Sequence, residues 1–319
     1  MIKGLNVGVI GANGFIGSHL VIKLMDIVNI DKLCLFGRSE KSNVEILNAK
    51  IEYYQIDLKH NQSYINKLKN LDLIFYLASD TIPSNSWNSP MIEFSDNIIP
   101  FIEFLETIKN TRLKKIIYTS SAGTIYGPSL KKLSEKSFTA PFSPYGIGKL
   151  AMEHFLEYYR VNYNINYDIY RISNVFGPNQ DISKGLGLIN TIIENLIKRK
   201  ETTIFGNGKA IRNYIYIQDV VDVLCYSVNS SFFESNILNV ASNQNYTINQ
   251  IIKLIEKESK QKPIIKYLNQ RSSDNPNIQI SNKNLLNKIP TIKITSVEEG
   301  IKITFDHIKE KNNEKRTEI

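Results

Sequence analysis

The chain has 319 residues, of which 42% are hydrophobic and 22% are charged, as in ordinary folded domains. No run approaches the roughly 20 apolar residues that a membrane-spanning helix needs, so no such helix is expected. The formal net charge is +8, but the lysines are scattered and form no basic stripe interleaved with aromatic side chains, which argues against nucleic-acid binding.

The two cysteines, Cys34 and Cys225, each lie in an apolar segment, far from a second thiol or a histidine pair. This spacing predicts neither a disulfide framework nor a metal site, and it favours a cytoplasmic location. The apolar run Val7–Ile10 leads directly into a glycine cluster and is too short for the core of a signal peptide. It is expected to be a strand.

From the start to about Ile172, short β-branched or leucine-rich runs alternate with longer amphipathic segments, a pattern typical of βαβ units. The predicted strands are Asn6–Ile10, Lys32–Phe36, Glu52–Gln55, Leu73–Leu77, Lys115–Thr119 and Tyr167–Arg171. The predicted helices are Ile16–Ile27, Ser63–Lys69, Phe94–Lys109 and Tyr145–Tyr163. We therefore expect an α/β fold, with a Rossmann-type, doubly wound parallel sheet over residues 1–174.

After Asn174 the pattern loosens, because glycines and Pro178 interrupt it at short intervals. Shorter strands, such as Asn213–Ile217 and Asn236–Val240, are separated there by single helices. We expect a smaller α/β substrate-binding lobe over residues 175–309, with some elements returning to the first domain. Residues 310–319 are almost wholly polar and are expected to form a frayed tail.

A glycine-rich loop links the first predicted strand to the first predicted helix. It reads Gly11-Ala12-Asn13-Gly14-Phe15-Ile16-Gly17. Gly11 permits a tight turn, Gly14 lets backbone N–H groups approach a pyrophosphate, and Gly17 lets the helix pack on the strand. The N-terminus of the helix favours negative charge at this point. The loop therefore predicts a dinucleotide-binding site.

The second predicted strand ends in Phe36-Gly37-Arg38-Ser39, where an NAD enzyme usually has an acidic residue for the ribose hydroxyls. Arg38 can instead donate charge-assisted hydrogen bonds to the 2′-phosphate of NADP, or it can stack on the adenine. We expect NADP or NAD as the cofactor, with Arg38 favouring NADP. Asp57, just past the third strand, is expected either to bond the adenine edge or to cap a helix.

The segment Tyr145-Gly146-Ile147-Gly148-Lys149 places a phenol and an ammonium group four residues apart on one face of a predicted helix. A nearby cation stabilises a phenolate, so we expect the pKa of Tyr145 to lie below the usual value of about 10. The tyrosine can then act as a general base. Without other motifs, this spacing is more typical of a surface pair than of a catalytic one.

Two further motifs accompany the glycine loop and this pair. They are Ser120-Ser121-Ala122-Gly123-Thr124-Ile125-Tyr126-Gly127 after the fifth strand, and Ser143-Pro144 before Tyr145. With them the chain resembles the extended short-chain dehydrogenase/reductase family, and within it the nucleotide-sugar epimerases and dehydratases, particularly bacterial UDP-sugar 4-epimerases. The resemblance runs from the first strand to about Asp274. It implies that Tyr145 and Lys149 are catalytic.

The resemblance also implies which residues bind the cofactor. They are Gly11, Asn13, Gly14, Phe15, Ile16, Gly17, Arg38, Asp57, Leu58, Leu77, Ala78, Tyr145 and Lys149. In this family a Ser or Thr after the fifth strand bonds the substrate hydroxyl beside the catalytic tyrosine, but here Ala122 occupies the slot that many epimerases use. Ser121 and Thr124 flank that slot, and either can supply the hydroxyl, with Ser121 slightly preferred. The alternative is that both hydroxyls stabilise a turn.

Further residues match family positions that bind the nucleotide diphosphate. Asn174 corresponds to an asparagine on the diphosphate, and Arg212 to the arginine of an Arg-Asp-Tyr segment in which Asn213 replaces the acid. Arg271 and Asp274 match an Arg-x-x-Asp in which the arginine binds phosphate and the acid binds the ribose. Two guanidinium groups suit a diphosphate, because each can donate two hydrogen bonds.

The function that the resemblance implies is a nucleotide-sugar 4-epimerase, by preference for a UDP-sugar, acting through a transient 4-keto intermediate with bound NAD(P). The alternative is an NADPH-dependent 4-keto-6-deoxy nucleotide-sugar reductase, which the missing acid at Arg38 favours. A 4,6-dehydratase ranks third, because Gly123 and Thr124 lie where a dehydratase usually has an acidic pair. A non-catalytic NADP sensor ranks lower, since Tyr145 and Lys149 are both retained.

The expected partners follow from the same resemblance. A nucleotide-diphosphate sugar is the expected substrate, and no nucleic acid, membrane or metal is expected. Many relatives pair two helices from each subunit in a four-helix interface, for which Phe94–Lys109 and Tyr145–Tyr163 are the candidates here. We therefore expect a homodimer.

Overall fold

The structure is a computed structural model that describes residues 4–46, 48–59, 64–129, 131–183, 185–230, 232–270 and 277–317, the side chains of residues 315–317 excepted. It divides into two compact units. The first unit comprises Met1–Ile125, Ala140–Arg171 and Val221–Leu238, and the second comprises Tyr126–Thr139, Ile172–Val220 and Asn239–Ile319. The division therefore does not follow a single boundary near residue 174, because the elements of each unit are not contiguous in sequence.

The described residues form the following strands and helices. The strands are β1 (Leu5–Ile10), β2 (Ile30–Gly37), β3 (Ile51–Gln55), β4 (Leu73–Tyr76), β5 (Lys115–Ser121), β6 (Asn166–Ile172), β7 (Asn174–Phe176), β8 (Glu201–Phe205), β9 (Ile211–Tyr216), β10 (Asn236–Val240), β11 (Asn245–Thr247) and β12 (Ile264–Leu268). The helices are α1 (Phe15–Met25), α2 (Ile65–Leu68), α3 (Pro83–Asn88), α4 (Pro90–Glu93), α5 (Ile99–Ile108), α6 (Ala122–Ile125), α7 (Pro144–Tyr163), α8 (Leu188–Ile197), α9 (Ile217–Asn229), α10 (Ile248–Ser259), α11 (Lys283–Lys288) and α12 (Val297–Thr317).

The predicted Rossmann-type sheet is confirmed. Seven strands form one sheet in the order β10-β6-β5-β4-β1-β2-β3, and β1 pairs in parallel with both β2 and β4. All six strands predicted for the first domain are present in it. The strand Asn236–Val240 has the predicted bounds and joins this sheet next to β6, although it lies within residues 175–309, from which some elements were expected to return to the first domain. Residue pattern alone does not determine which sheet accepts a strand.

The predicted helix Phe94–Lys109 is divided in two. A π-helical turn, Phe94–Ile98, precedes α5. Pro100 lies in the first turn of α5 and lacks the N–H that would bond back to residue 96, which opens the preceding turn. Helices α3 and α4, which precede this turn, have no counterpart in the predicted pattern because they are only six and four residues long.

An aromatic cluster fixes α5 against the centre of the large sheet. The ring of Tyr76 lies 4.8 Å from that of Phe101 and 5.1 Å from that of Phe104, and Tyr118 lies 5.5 Å from Phe101 between ring centroids. All four side chains are buried. Aromatic pairs at such distances contribute about 0.5–1.5 kcal/mol each beyond the area that they bury. The cluster anchors β4 and β5, whose carboxyl ends lead into the candidate site.

A buried ion pair links β5 to β6. The Nζ atom of Lys115 lies 2.8 Å from Oδ2 of Asp168, and both side chains are almost fully buried. Ser227 and Asn236 also donate hydrogen bonds to this carboxylate, at 2.8 and 2.7 Å. Asp168 is therefore compensated on both oxygens, as a buried charge must be.

The second unit contains two small sheets. One has the strand order β11-β9-β7, in which β9 is parallel to β7 and antiparallel to β11. The other consists of the parallel pair β8 and β12. The predicted strand Asn213–Ile217 corresponds to β9.

The last helix of the second unit, α12, continues through Thr317. The frayed tail expected from residue 310 is therefore wrong for residues 310–317. Val297, Ile301, Phe305 and Ile308 are buried at helical spacing and anchor the first half of the helix. The lysines and glutamates that follow have good helix propensity, so the helix continues once it has been nucleated.

Within the described ranges, no helix is both long enough and apolar enough to cross a membrane. Cys34 and Cys225 are buried and form no disulfide. Burial raises the pKa of the Cys34 thiol to about 11 and that of Cys225 to about 12. Both thiols are therefore protonated and unreactive at neutral pH.

Candidate active site

The loops that follow β1 and β4 meet where the strand order of the large sheet reverses. Gly11 directly follows β1 and has a φ of 86°, a left-handed conformation that favours glycine. A β-carbon on Gly11 would lie 2.9 Å from the backbone nitrogen of Ala78, and 3.1 Å from the carbonyl carbon of Leu77. These predicted cofactor residues are therefore adjacent, at the switch point where doubly wound sheets bind ligands.

The glycine loop has the geometry that its sequence predicts. A β-carbon on Gly17 would lie 3.0 Å from Cα of Ala12 and would also overlap the carbonyl oxygen of Gly11, so only glycine lets α1 start so close to β1. Gly14 is the N-cap of α1, and no side chain caps this end or places an acid in its first turn. Phe15 and Ile16, the first residues of the helix, are half-buried. The loop thus fits a dinucleotide, whose pyrophosphate the exposed helix N-terminus would hold.

Asn13 links the glycine loop to the segment after β2. Its side-chain amide donates to the carbonyl of Lys41 at 2.8 Å and to the hydroxyl of Tyr53 at 3.1 Å, and its Oδ1 accepts from the backbone N–H of Asn43 at 3.0 Å. These contacts hold the rim of the predicted adenosine site. The backbone carbonyl of Asn13 also accepts from the side-chain amide of Asn43 at 3.1 Å, so Asn13 shapes the loop through contacts within the protein.

Arg38 has an acidic partner that the sequence does not reveal. Its Nη1 lies 2.9 Å from Oδ1 of Asp80, in the loop after β4, while 65% of the Arg38 side chain is exposed. Asp57 uses Oδ1 to accept from the backbone N–H of Lys59 at 3.0 Å, which makes a local turn and not a helix cap. Leu58 packs against the hydrophobic core.

The candidate catalytic pair lies at the start of α7. Ser143 caps this helix, its Oγ accepting from the N–H of Gly146 at 3.1 Å, and Pro144 occupies the first helical position. The backbone N–H of Tyr145 donates to Oγ of Ser86 in α3 at 3.2 Å. Lys149 is 3% exposed, and its Nζ donates to the carbonyl of Thr119 at 3.1 Å.

The ammonium group of Lys149 lies among aromatic rings. It is 5.6 Å from the ring centroid of Tyr145 and 5.1 Å from that of Tyr118. Burial lowers the pKa of Lys149 to about 8. Burial, and next the negative charge of Glu93, raise the pKa of Tyr145 above its usual value. Desolvation therefore outweighs the effect of the neighbouring cation within the chain itself, and the lower phenol pKa expected with oxidised nicotinamide bound stays a prediction.

The serine-rich segment places several hydroxyls near the start of α7. Ser121 is the last residue of β5, and Ala122 is fully buried at the start of α6. The Oγ1 of Thr124 and the Oγ of Ser120 are both buried and have no hydrogen-bond partner among the described residues. The carbonyl oxygen of Thr124 lies against Gly146, where a β-carbon would come within 2.6 Å of it. Thr124 is therefore next to the first turn of the helix that carries Tyr145.

Asn174 and Arg212 lie on neighbouring strands of the second unit. In the parallel pair of β7 and β9, Asn174 is opposite Tyr214, and its amide donates to the carbonyl of Asn213 at 2.7 Å. The Nη1 of Arg212 donates to the carbonyl of Ile211 at 2.9 Å. The structure thus brings these two predicted substrate residues together. Arg271 and Asp274, the other two, lie outside the described residues.

Asn213, which replaces the acid of the family motif, has a structural role here. It is 1% exposed, and its amide donates to the carbonyls of Ser242 at 3.1 Å and Gln244 at 2.9 Å. Its Oδ1 accepts from the N–H of Ser242 at 2.9 Å. The side chain therefore ties β9 to the segment before β11, a task for which an amide, with both donor and acceptor, is suited.

Two residues that the sequence analysis did not identify lie beside the candidate pair. Ser86 is fully buried and accepts the N–H of Tyr145, and Glu93 is 1% exposed and lies over Gly148. The sequence carries no periodic or motif signal for either residue. Over the part of the chain that the structure describes, no group of three or more His, Cys, Asp or Glu side chains could hold a metal ion.

Comparison with known proteins identifies the family. Residues 7–241 match the NAD dependent epimerase/dehydratase family. The UDP-glucose 4-epimerase of Mycolicibacterium smegmatis is 32% identical over 221 residues, which cover 67% of this chain and 70% of the relative. A dTDP-4-dehydro-6-deoxyglucose reductase of Escherichia coli is 26% identical over 262 residues, which cover 80% of this chain and 82% of the relative.

A solved structure extends the similarity to nearly the whole chain. The UDP-glucose 4-epimerase of Thermotoga maritima, solved with UDP-glucose, has a TM-score of 0.88 and 27% identity, covering 97% of this chain and 100% of that one. The sequence, the sheet order and the glycine loop agree with this match. The chain belongs to the NAD-dependent epimerase/dehydratase family and is an NAD(P)-dependent enzyme of the extended short-chain dehydrogenase/reductase type.

Proposed function

We propose that the chain is a nucleotide-sugar 4-epimerase, with a UDP-sugar as substrate, that acts through a transient 4-keto sugar. The observation that carries this proposal is the juxtaposition of Tyr145 and Lys149 on α7 with Thr124, whose carbonyl oxygen lies against the first turn of that helix. The hydroxyl of Thr124 is buried and has no hydrogen-bond partner among the described residues. The glycine loop at the switch point of the same unit supports a dinucleotide beside them. The similarity to UDP-glucose 4-epimerases supports a UDP-sugar as the substrate.

Each residue of the pair has a distinct task in this proposal. Tyr145 removes the proton from the C4 hydroxyl of the sugar and later returns a proton to the same oxygen. Lys149 supplies the positive charge that makes the phenolate accessible once substrate is present. A bound nicotinamide supplies the acceptor and donor of hydride. The remaining chemistry, which is positioning and proton transfer, falls to the side chains of the protein.

Thr124 is the hydroxyl that we propose to assist Tyr145, in preference to Ser121. A buried hydroxyl without a hydrogen-bond partner is unfavourable by about 1–3 kcal/mol. A ligand that forms a hydrogen bond with the Thr124 hydroxyl would remove this cost, which favours binding there. Thr124 also lies against the first turn of α7. Ser121 ends a strand and is only half-buried, so water can satisfy its hydroxyl.

Substrate anchoring is proposed for Asn174 and Arg212, together with Arg271 and Asp274 from the sequence motif. The backbone contacts of Asn174 and Arg212 fix their side chains on adjacent strands. An arginine held in this way loses less conformational freedom when it binds a phosphate group.

For the cofactor, we propose that NADP binds with its 2′-phosphate on Arg38. The 2′-phosphate must either displace Asp80 from the guanidinium group or bind beside the Asp80 carboxylate, which repels it electrostatically. Asp80→Asn should therefore strengthen NADP binding and leave NAD binding nearly unchanged, as measured by calorimetric titration of both cofactors. An equal effect on both cofactors, or wild-type binding of NAD at least as tight as that of NADP, would contradict the role of Arg38.

A second candidate function is an NADPH-dependent 4-keto-6-deoxy nucleotide-sugar reductase. Arg38 in place of an acid favours an exchangeable NADPH, and the similarity to the Escherichia coli reductase supports this candidate. A dehydratase is less favoured, because Gly123 and Thr124 provide no acidic pair.

The experiment that separates these functions is incubation with NAD or NADP and a panel of UDP-, dTDP- and GDP-sugars, with chromatographic analysis of the products. An epimerase converts a sugar to its 4-epimer with no net change in cofactor absorbance. A reductase consumes NADPH in proportion to the 4-keto sugar supplied. A dehydratase yields a 4-keto-6-deoxy sugar and water, and a sensor binds cofactor with no product.

We also propose that the chain forms a homodimer through the face that α4, α5 and α7 share. Large apolar side chains are exposed on these elements and on the π-helical turn between α4 and α5: Met91, Phe94, Ile99, Ile147, Tyr158 and Val161. An apolar face of this kind marks an interface between proteins. Light scattering should give a dimer mass for the wild type, and a monomer for Phe94→Glu combined with Val161→Glu. A monomeric wild type would refute the proposal.

A further inference from the structure

Glu93, the last residue of α4, is a buried acid without an obvious compensating charge. Its side chain is 1% exposed, whereas buried carboxylates are normally ion-paired or fully hydrogen-bonded. Its Oε2 accepts a hydrogen bond from Oγ1 of Thr81, and Asn97 in turn donates to Thr81 at 2.8 Å. The other oxygen, Oε1, is buried and has no hydrogen-bond partner among the described residues. The carboxylate is thus held firmly but only half satisfied.

Glu93 fills a notch in the helix that carries the candidate pair. A β-carbon on Gly148 would lie 2.6 Å from both Cγ and Cδ of Glu93, which is closer than such atoms approach in real structures. The position next to Lys149 must therefore lack a side chain for Glu93 to reach it. The glutamate and the glycine together form one feature, an acid packed against the backbone between Tyr145 and Lys149.

Several titratable groups act on Lys149 or lie against it. They are Glu93 of α4, Tyr145 and Glu153 of α7, and Tyr118 of β5. Glu153 is neutralised by Arg171, whose Nη2 lies 2.6 Å from its Oε2. Asp96, which acts on Glu93, is paired with Lys59 at 2.9 Å. Within the described ranges Glu93 has no ion-pair partner, so its charge acts on the candidate pair without local compensation.

The negative charge of Glu93 acts in the same direction on both members of the pair. Burial lowers the pKa of Lys149 to about 8, and Glu93 opposes this lowering. After burial, Glu93 is also the cause that raises the pKa of Tyr145. Burial raises the pKa of Glu93 itself, while Thr81 and Lys149 oppose this rise and favour its ionised form. An ionised Glu93 therefore keeps Lys149 an ammonium and Tyr145 a phenol.

We propose that Glu93 is a positioning residue of the Tyr145–Lys149 pair, a buried counter-charge that packs against Gly148 and keeps the lysine positively charged. The inference rests on the proposed roles of Tyr145 and Lys149. It assigns to Glu93 no contact with substrate or cofactor. Its effect is to set the pH at which the pair changes protonation state.

The test is Glu93→Gln, which removes the charge but keeps an oxygen that can accept from Thr81. Lysines labelled with ¹³C at Cε are titrated by NMR in the cofactor-free protein, and the Lys149 resonance is identified by its loss in Lys149→Met. The Lys149 midpoint should fall by about half a pH unit or more in Glu93→Gln. Glu103→Gln on α5 is the matched control and should leave the midpoint unchanged. An unchanged midpoint in a folded Glu93→Gln protein overturns the inference.

The pH dependence of kcat/KM is a second test of the role of Glu93. The acid limb of kcat/KM should move to lower pH in Glu93→Gln and stay in place in Glu103→Gln, whereas a purely structural role would lower the whole profile without moving the limb. Turnover that survives Tyr145→Phe would refute the proposed function and still leave the NMR titration of Lys149 valid. The two failures are therefore distinguishable.

The packing of Glu93 against Gly148 can be tested by enlarging the side chain at position 148 and then shortening the one at position 93. Gly148→Ala should lower the melting temperature, because its β-carbon overlaps Glu93. Glu93→Ala combined with Gly148→Ala should recover most of this loss. A Gly148→Ala protein as stable as the wild type, or a double variant no better than Gly148→Ala, would show that the acid is not packed in the notch.

Discussion

Two buried lysines in this chain should respond in opposite ways to replacement by methionine. Lys149 is 3% exposed, donates one hydrogen bond to a backbone carbonyl and, within the described ranges, has no ion-pair partner. Lys115 is fully buried and lies 2.8 Å from the carboxylate of Asp168. The first charge is poorly compensated and the second is paired. We therefore expect Lys149→Met to stabilise the cofactor-free protein and Lys115→Met to destabilise it.

The magnitude for Lys149 follows from its pKa. One pKa unit corresponds to about 1.4 kcal/mol, so a fall from 10.5 to about 8 makes folding at neutral pH less favourable by on the order of 3 kcal/mol. Methionine removes this penalty but loses the hydrogen bond to Thr119, which contributes about 1 kcal/mol. The net expected gain in the free energy of unfolding is about 1–3 kcal/mol at pH 7.

The sign of the pH dependence is fixed by the direction of the shift. Between pH 8 and pH 10.5 the unfolded chain holds the lysine proton and the folded chain has released it, so the wild type gains stability as the pH rises. The advantage of Lys149→Met should therefore be fully present below about pH 8 and be lost by about pH 10.5.

Lys115→Met should lower stability by about 3–5 kcal/mol at pH 7, because it leaves the carboxylate of Asp168 buried without its cation. Urea denaturation of both variants and the wild type at pH 7, 9 and 10 measures all three free energies. A Lys149→Met protein less stable than the wild type at pH 7, or a difference between them that does not change with pH, would refute the reasoning.

Three further variants test the proposed chemistry. Tyr145→Phe should leave cofactor affinity unchanged and lower kcat by roughly 10²–10⁴-fold, the usual contribution of a positioned general acid or base. If the variant keeps most of its activity, another residue must be the base. Thr124→Val should lower kcat/KM about 10- to 100-fold with little change in melting temperature, since its hydroxyl has no hydrogen-bond partner among the described residues. A larger effect of Ser121→Ala would reverse the assignment. Arg212→Ala should raise KM for the nucleotide sugar about tenfold and change kcat little, because phosphate contacts are present in both ground and transition states. A change in kcat alone would show that Arg212 does not bind the diphosphate.

The cofactor half of the fold could be predicted because its signals are local. Each βαβ unit repeats a short apolar run and an amphipathic segment. The need for glycine at position 17 follows from steric limits set by Gly11 and Ala12 in the same loop, and Gly11 itself has a left-handed backbone conformation. The spacing of Tyr145 and Lys149 on α7 is likewise a local helical property. These features require no knowledge of which distant segments meet.

The features that could not be predicted depend on distant contacts. Arg38 forms an ion pair with Asp80, 42 positions away in the sequence, so a 2′-phosphate must compete with Asp80 for the guanidinium group. Glu93 meets Gly148 across 55 positions, and neither residue shows the contact in its local pattern. The pKa of Tyr145 was expected to fall from its spacing to Lys149, but the dominant cause, burial, is set by the packing of the whole unit.

Several energetically unfavourable buried groups lie in the candidate site. Lys115 and Asp168 form a close buried ion pair, whereas Lys149 of α7 has no carboxylate within ion-pair distance among the described residues. In the same part of the structure, Oε1 of Glu93 and Oγ1 of Thr124 have no hydrogen-bond partner among the described residues. Each unsatisfied buried group is unfavourable by about 1–3 kcal/mol. Bound ligands that offer hydroxyl and phosphate groups would satisfy some of them, so part of the binding energy comes from groups that folding leaves unsatisfied. Cofactor and sugar nucleotide together should therefore stabilise the wild type more than they stabilise Thr124→Val, in which one of these groups is absent.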